Sequence, residues 1–151
     1  MSDPCTACGS RREFLSHALG IAVGIALPLH EASARASGSE RRYPIPAADG
    51  AAIDRAAQIV LVRYQMHAYA FALACPHQNT ALKWLPKDAR FQCPKHDSRY
   101  QPDGTFLSGH ATRGMDRFAI RRESDALVVD AARWFQSDRQ AAEWAAARVD
   151  L

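Results

Sequence analysis

Two short segments carry residue types that bind soft metals: Cys75-Pro76-His77 and Cys93-Pro94-Lys95-His96. Each offers one thiolate and one imidazole, spaced Cys-x-His in the first and Cys-x-x-His in the second. Fifteen residues separate His77 from Cys93. Two thiolates and two imidazoles are a full donor set for a tetrahedral structural zinc ion. Zinc motifs commonly keep their cysteines together and their histidines together, whereas here each loop supplies one of each. The mixed pairing also lets two cysteines bind one iron and two histidines bind another, as in a two-iron, two-sulfur cluster. A zinc-stabilised binding module without redox activity and a one-electron carrier are the two chemistries these loops leave open. Cys5-Thr6-Ala7-Cys8 also has metal or redox spacing. It has no matching second pair and reads as incidental.

Rigid placement of four ligands asks for strand ends around them. Gln58 to Arg63 is rich in β-branched residues and reads as a buried strand, and His67 to Ala74 alternates large and small residues with period two. Tyr64 to Met66 is the turn between them. The first loop leaves the strand that ends at Ala74, and the second follows a short strand entry at Phe91-Gln92. Phe118 to Arg122 and Ala126 to Asp130 form a second hairpin pattern across Glu123-Ser124-Asp125. Ser137 and Gln140 have capping-box spacing ahead of an expected helix over Ala141 to Val149. Many short strands joined by loops predict an all-β domain.

With those motifs in place, the chain resembles Rieske iron–sulfur proteins over about Pro44 to Asp130. The resemblance rests on Cys75 and His77 in the first loop and on Cys93, Pro94, His96, Ser98 and Tyr100 in the second. It implies a [2Fe-2S] cluster, with Cys75 and Cys93 on an inner iron. His77 and His96 would hold an outer iron near the surface, where electrons enter or leave. It also implies that Ser98 and Tyr100 donate hydrogen bonds to a cluster sulfur and a cysteine sulfur, which favours the more negative, reduced state and raises the potential. The implied fold is the Rieske type: a small cluster-binding subdomain on an antiparallel β base, with a short C-terminal helix. Thr80 and Lys95 stand where quinol-oxidising members usually carry a disulfide. Asp97 replaces the usual glycine after the second histidine, and Asp tolerates the left-handed backbone better than most residues. Residues Gly109 to Met115 replace the usual proline-rich loop, which puts a quinol-docking surface in doubt. His67 and His110 receive no ligand role.

The N-terminus points to export. Ser10-Arg11-Arg12-Glu13-Phe14-Leu15 resembles the address read by the bacterial Tat pathway. The apolar stretch from Phe14 to Leu29 has 16 residues, short of the roughly 20 of a membrane span. Cleavage at Ala32-Ser33-Ala34 or Ala34-Arg35-Ala36 would release a periplasmic protein, and retention would anchor it to the inner membrane. The expected organisation is a signal or anchor over 1–36, a linker over 37–56, the cluster domain over 57–135 and a C-terminal helix over 136–151. A net charge of +3 with no basic stretch interleaved with aromatics excludes nucleic acid as a partner.

The expected function is one-electron transfer as a subunit or carrier for a periplasmic or membrane-bound oxidoreductase, non-catalytic in itself. The partner would be a redox protein, either a cytochrome or an oxidoreductase large subunit. The alternative is a quinol-oxidising subunit of a cytochrome bc-like complex. An oxygenase is not expected, because little chain follows the loops for a catalytic domain and no two-histidine, one-carboxylate set is evident.

Overall fold

The structure, a computed structural model, describes residues 38–151. Cys5, Cys8, the arginine pair and the apolar stretch lie outside the described residues.

The hairpin of β3 (Ile59–Tyr64) and β4 (His67–Ala72) organises the rest. Its register runs from Ile59 opposite Ala72 to Tyr64 opposite His67, leaving a two-residue turn. Gln65 and Met66 both take left-handed backbone angles, φ 49° and 64°, as the tight turn that matches strand twist requires. The alternation in β4 is a partition between two cores. Tyr69, Phe71 and Leu73 face one way with Val60 and Val62, into a core that also holds Cys75, Phe91, Cys93 and Tyr100. Ala68 and Ala70 face the other way with Ile59 and Leu61, against Phe118, Leu127 and Val129. The large side chains thus buttress the two Cys/His loops, while the alanines let the base sheet pack close.

That base is a seven-stranded antiparallel sheet with the order β1-β10-β9-β4-β3-β2. It adds β1 (Glu40–Pro44), β2 (Gly50–Asp54), β9 (Arg117–Glu123), β10 (Ala126–Phe135) and β11 (Val149–Asp150), the last paired to β4. A smaller four-stranded antiparallel sheet comprises β5 (Lys83–Leu85), β6 (Arg90–Gln92), β7 (Arg99–Tyr100) and β8 (Phe106–Ser108). The described residues are all-β with one short α-helix, α1 (Ala141–Ala146).

Two expectations are corrected. The linker over 37–56 contains the two edge strands β1 and β2. Edge strands need little apolar sequence: β1 is held by ion pairs of Glu40 with Arg121 and of Arg42 with Glu123. The Tyr43 hydroxyl donates to Asp54 at 2.9 Å and ties the two edges together. The segment 136–151 is helical only over α1, because Val149 and Asp150 peel away to pair with Ala68 and His67. The capping box does not form. Ser137 instead accepts the Gly114 N–H at 2.9 Å, and Gln140 makes no side-chain cap.

The helix is pinned by a buried cation. Arg117, 3% exposed, donates to the carbonyls of Trp144 and Asp103, each at 2.6 Å. Its guanidinium lies 3.5 Å from the Trp144 ring centroid and 4.8 Å from that of Tyr69. Burial lowers its pKa to about 10, so it remains charged at neutral pH.

Candidate metal centre

The two Cys/His loops share one backbone design. In the first, the Cys75 N–H bonds the Thr80 carbonyl at 2.8 Å and the Asn79 N–H bonds back to the Cys75 carbonyl at 2.8 Å. In the second, the Cys93 N–H bonds the Ser98 carbonyl at 2.8 Å and the Asp97 N–H returns to the Cys93 carbonyl at 3.1 Å. The fifth residue of each loop is left-handed, Asn79 at φ 53° and Asp97 at φ 56°. Both are residue types that adopt this region at low cost. Asp97 therefore serves in place of glycine, and its carboxylate also takes hydrogen bonds from Arg99 at 2.7 Å and from Gln92. The first loop is closed by the bridge between Ala74 and Ala81, the second by β6 and β7.

The donors segregate by depth. Cys75 and Cys93 are unpaired thiols, 0% and 1% exposed, with their side chains in contact. His77 and His96 are half-buried at the rim. Their Nδ1 atoms face each other at 3.2 Å with ring centroids 4.8 Å apart. Imidazole nitrogens sit about 2.1 Å from a bound metal, so two on one tetrahedral ion lie roughly 3.4 Å apart, and the observed pair fits one ion. The sulfurs form one close pair and the imidazoles another, an arrangement that suits two metal positions, one per pair.

Polar groups around the sulfurs favour negative charge. Burial pushes the Cys93 thiol up. Hydrogen bonds from the backbone of His96 and Lys95 and from the Cys75 and Thr80 side chains outweigh it, and the pKa falls below its ordinary value. The Tyr100 hydroxyl lies 3.3 Å from Cys75 Sγ, fully buried. Burial, and then that sulfur, push its pKa far up, so it stays protonated and is available to donate. Ser98 is also fully buried and accepts the N–H groups of His110 at 3.1 Å and Ala111 at 3.0 Å. Partial desolvation, then His77, Lys95 and His110 nearby, lower the His96 pKa.

All six sequence-predicted site residues meet here. His67 does not, since it pairs with Asp150 at 2.8 Å. His110, given no ligand role from the sequence, lies beside the pair: its ring stacks on His77 at 5.7 Å and 21° and meets His96 edge-on at 5.8 Å and 70°. Where the family disulfide is absent, Lys95 Nζ reaches Gln78 Oε1 at 3.4 Å across the two loops.

The family profile described as the Rieske [2Fe-2S] domain matches residues 36–119, more than half of the chain. Among curated relatives, the cytochrome b6-f complex iron-sulfur subunit 3 of Nostoc sp. (strain PCC 7120) is 49% identical over 64 residues, 42% of this chain and 35% of the relative. The cytochrome b6-f complex iron-sulfur subunit 2 of Trichormus variabilis is 30% identical over 69 residues, 46% of this chain and 38% of the relative. The chain thus spans little more than a third of the length of either. The crystal structure of the cyanobacterial plasma membrane Rieske protein PetC3 from Synechocystis PCC 6803 aligns with a TM-score of 0.45 at 20% identity, covering 52% of this chain and 82% of that one.

Proposed function

The chain belongs to the Rieske [2Fe-2S] domain family, its cofactor is a [2Fe-2S] cluster, and we propose that it uses this cluster to pass single electrons between protein partners. Cys75 and Cys93 hold the inner iron, and His77 and His96 the outer one. The observation that carries the assignment is the segregation of donors, a buried thiolate pair beneath a half-exposed imidazole pair whose Nδ1 atoms face each other at 3.2 Å. When bound, the cluster supplies a one-electron couple. The protein does the rest. The core of Phe71, Phe91 and Tyr100 keeps water from the sulfurs, and Tyr100 together with the backbone of Lys95 and His96 eases the added negative charge. His77 and His96 bring their rings to the surface, where a partner can approach.

The partner we propose is a redox protein, a cytochrome or an oxidoreductase large subunit, in or beside the membrane. That the two named relatives are subunits of cytochrome b6-f complexes supports a place in a redox complex. A quinol-oxidising role is the second reading; the same relatives favour it, and Thr80 and Lys95 in the disulfide positions weigh against it. Export through the Tat pathway, from the segment before the described residues, is part of the proposal. Cys75→Ser, Cys93→Ser, His77→Ala and His96→Ala should each abolish cluster incorporation, read as loss of visible absorbance and of iron. A full cluster in any one would remove that residue from the ligand set.

A further inference from the structure

A hydroxyl has one proton to donate and two lone pairs to accept with. Both lone pairs of Ser98 are engaged, by the N–H groups of His110 and Ala111. The side chain is 0% exposed, so its proton is shielded from bulk solvent. It is therefore left to point away from the loop, into the core. On that side lies the buried Tyr100 hydroxyl, close enough to feel Ser98 and 3.3 Å from Cys75 Sγ. Two backbone N–H groups thus set the direction in which the Ser98 hydroxyl donates, away from the loop and toward the side where the cysteine sulfurs lie.

What brings the loop so close is Gly109. Strand β8 breaks register with β7 between Arg99 and Tyr100, an irregularity that re-aims a strand end. The chain then crosses over Ser98 with Gly109 at φ 111°. A Cβ there would stand 2.4 Å from Ser98 Cα, 2.8 Å from Asp97 O and 2.8 Å from Ser98 N. These are backbone atoms of the second ligand loop and cannot swing aside as a side-chain tip would. The position also calls for a backbone conformation that side chains disfavour.

We propose that the segment Gly109-His110-Ala111 is a positioning device for Ser98, and that Gly109 is a positioning residue acting on the cluster through it. The proposal rests on the cluster assignment above. It gives this loop, where the chain departs from its family's pattern, a task of its own: orienting the donor that favours the reduced state.

The test is a thermodynamic cycle read as reduction potential. Ser98→Ala and Gly109→Ala should each lower the potential. In the Ser98→Ala background, Gly109→Ala should add little, because residues acting through one interaction are not additive. Equal shifts in both backgrounds, or none from Gly109→Ala in a protein that keeps its cluster, would overturn the proposal. A second readout needs no cluster. Ser98→Ala removes the acceptor for both N–H groups, so the amides of His110 and Ala111 should exchange hydrogen faster than in the wild type. Unchanged exchange there would overturn the proposal, and this result decides where Gly109→Ala fails to hold a cluster. Wild-type protein that takes up no iron–sulfur cluster would instead defeat the reading of the site and leave the exchange result to judge the loop.

Discussion

Tyr100→Phe removes one hydroxyl and almost nothing else. The ring is fully buried and packs edge-on against Phe106 at 5.9 Å, so phenylalanine fills the same space. The hydroxyl lies 3.3 Å from Cys75 Sγ. Hydrogen bonds to charged groups contribute about 1.5–3 kcal/mol. Only the difference between oxidised and reduced states moves a potential. If about half the bond is state-dependent, it amounts to about 0.75–1.5 kcal/mol. For a one-electron couple 59 mV corresponds to about 1.4 kcal/mol, so the potential should fall by about 30–65 mV. Protein-film voltammetry of wild type and variant at fixed pH measures this directly, with iron content establishing equal cluster loading. A fully loaded variant at the wild-type potential, or above it, would refute the donor role of Tyr100.

Three further outcomes are expected. Arg117→Leu strands the carbonyls of Trp144 and Asp103 and removes the cation stacked on Trp144; it should cost about 2–4 kcal/mol in urea unfolding, with amide protection lost first in α1. The Tyr43 pKa is raised from 10.0 to about 12, by burial and then by its bond to Asp54. Its folded-state value lies above the unfolded one, so this contribution to stability is fully present below about pH 10 and is lost as pH rises toward 12; Tyr43→Phe should flatten the alkaline limb of the stability profile. Replacing Arg11 and Arg12 together by lysine should leave the protein in the cytoplasm by fractionation, and unchanged export would refute the Tat assignment.

The two Cys/His loops were legible as a candidate site because a cysteine and a histidine close together, twice, have few structural uses. The β3–β4 hairpin was legible because the large–small alternation of Tyr69, Ala70 and Phe71 is itself the division between two cores. Edge strands left weaker marks. Glu40-Arg41-Arg42-Tyr43-Pro44 pairs along β10 through its backbone and ion pairs, neither of which produces an apolar pattern. The Ala-rich C-terminus read as one helix because local propensity favours it, yet Val149 finds a place beside Ala68 in the base sheet. His110 and Gly109 were invisible as site residues. Their part depends on a register break in β8 that carries a surface loop over Ser98, and no spacing in the sequence encodes that crossing.

The central claim is that two histidine nitrogens and two cysteine sulfurs hold a two-iron cluster. Purified protein labelled with 15N-histidine, reduced and examined by EPR and electron–nuclear double resonance, tests it most directly. The account predicts a Rieske-type signal from a cluster with equal iron and acid-labile sulfide, and coupling to two histidine nitrogens that disappears in His77→Ala and His96→Ala along with the cluster. A colourless protein with one zinc per chain, or a cluster without histidine coupling, would contradict it.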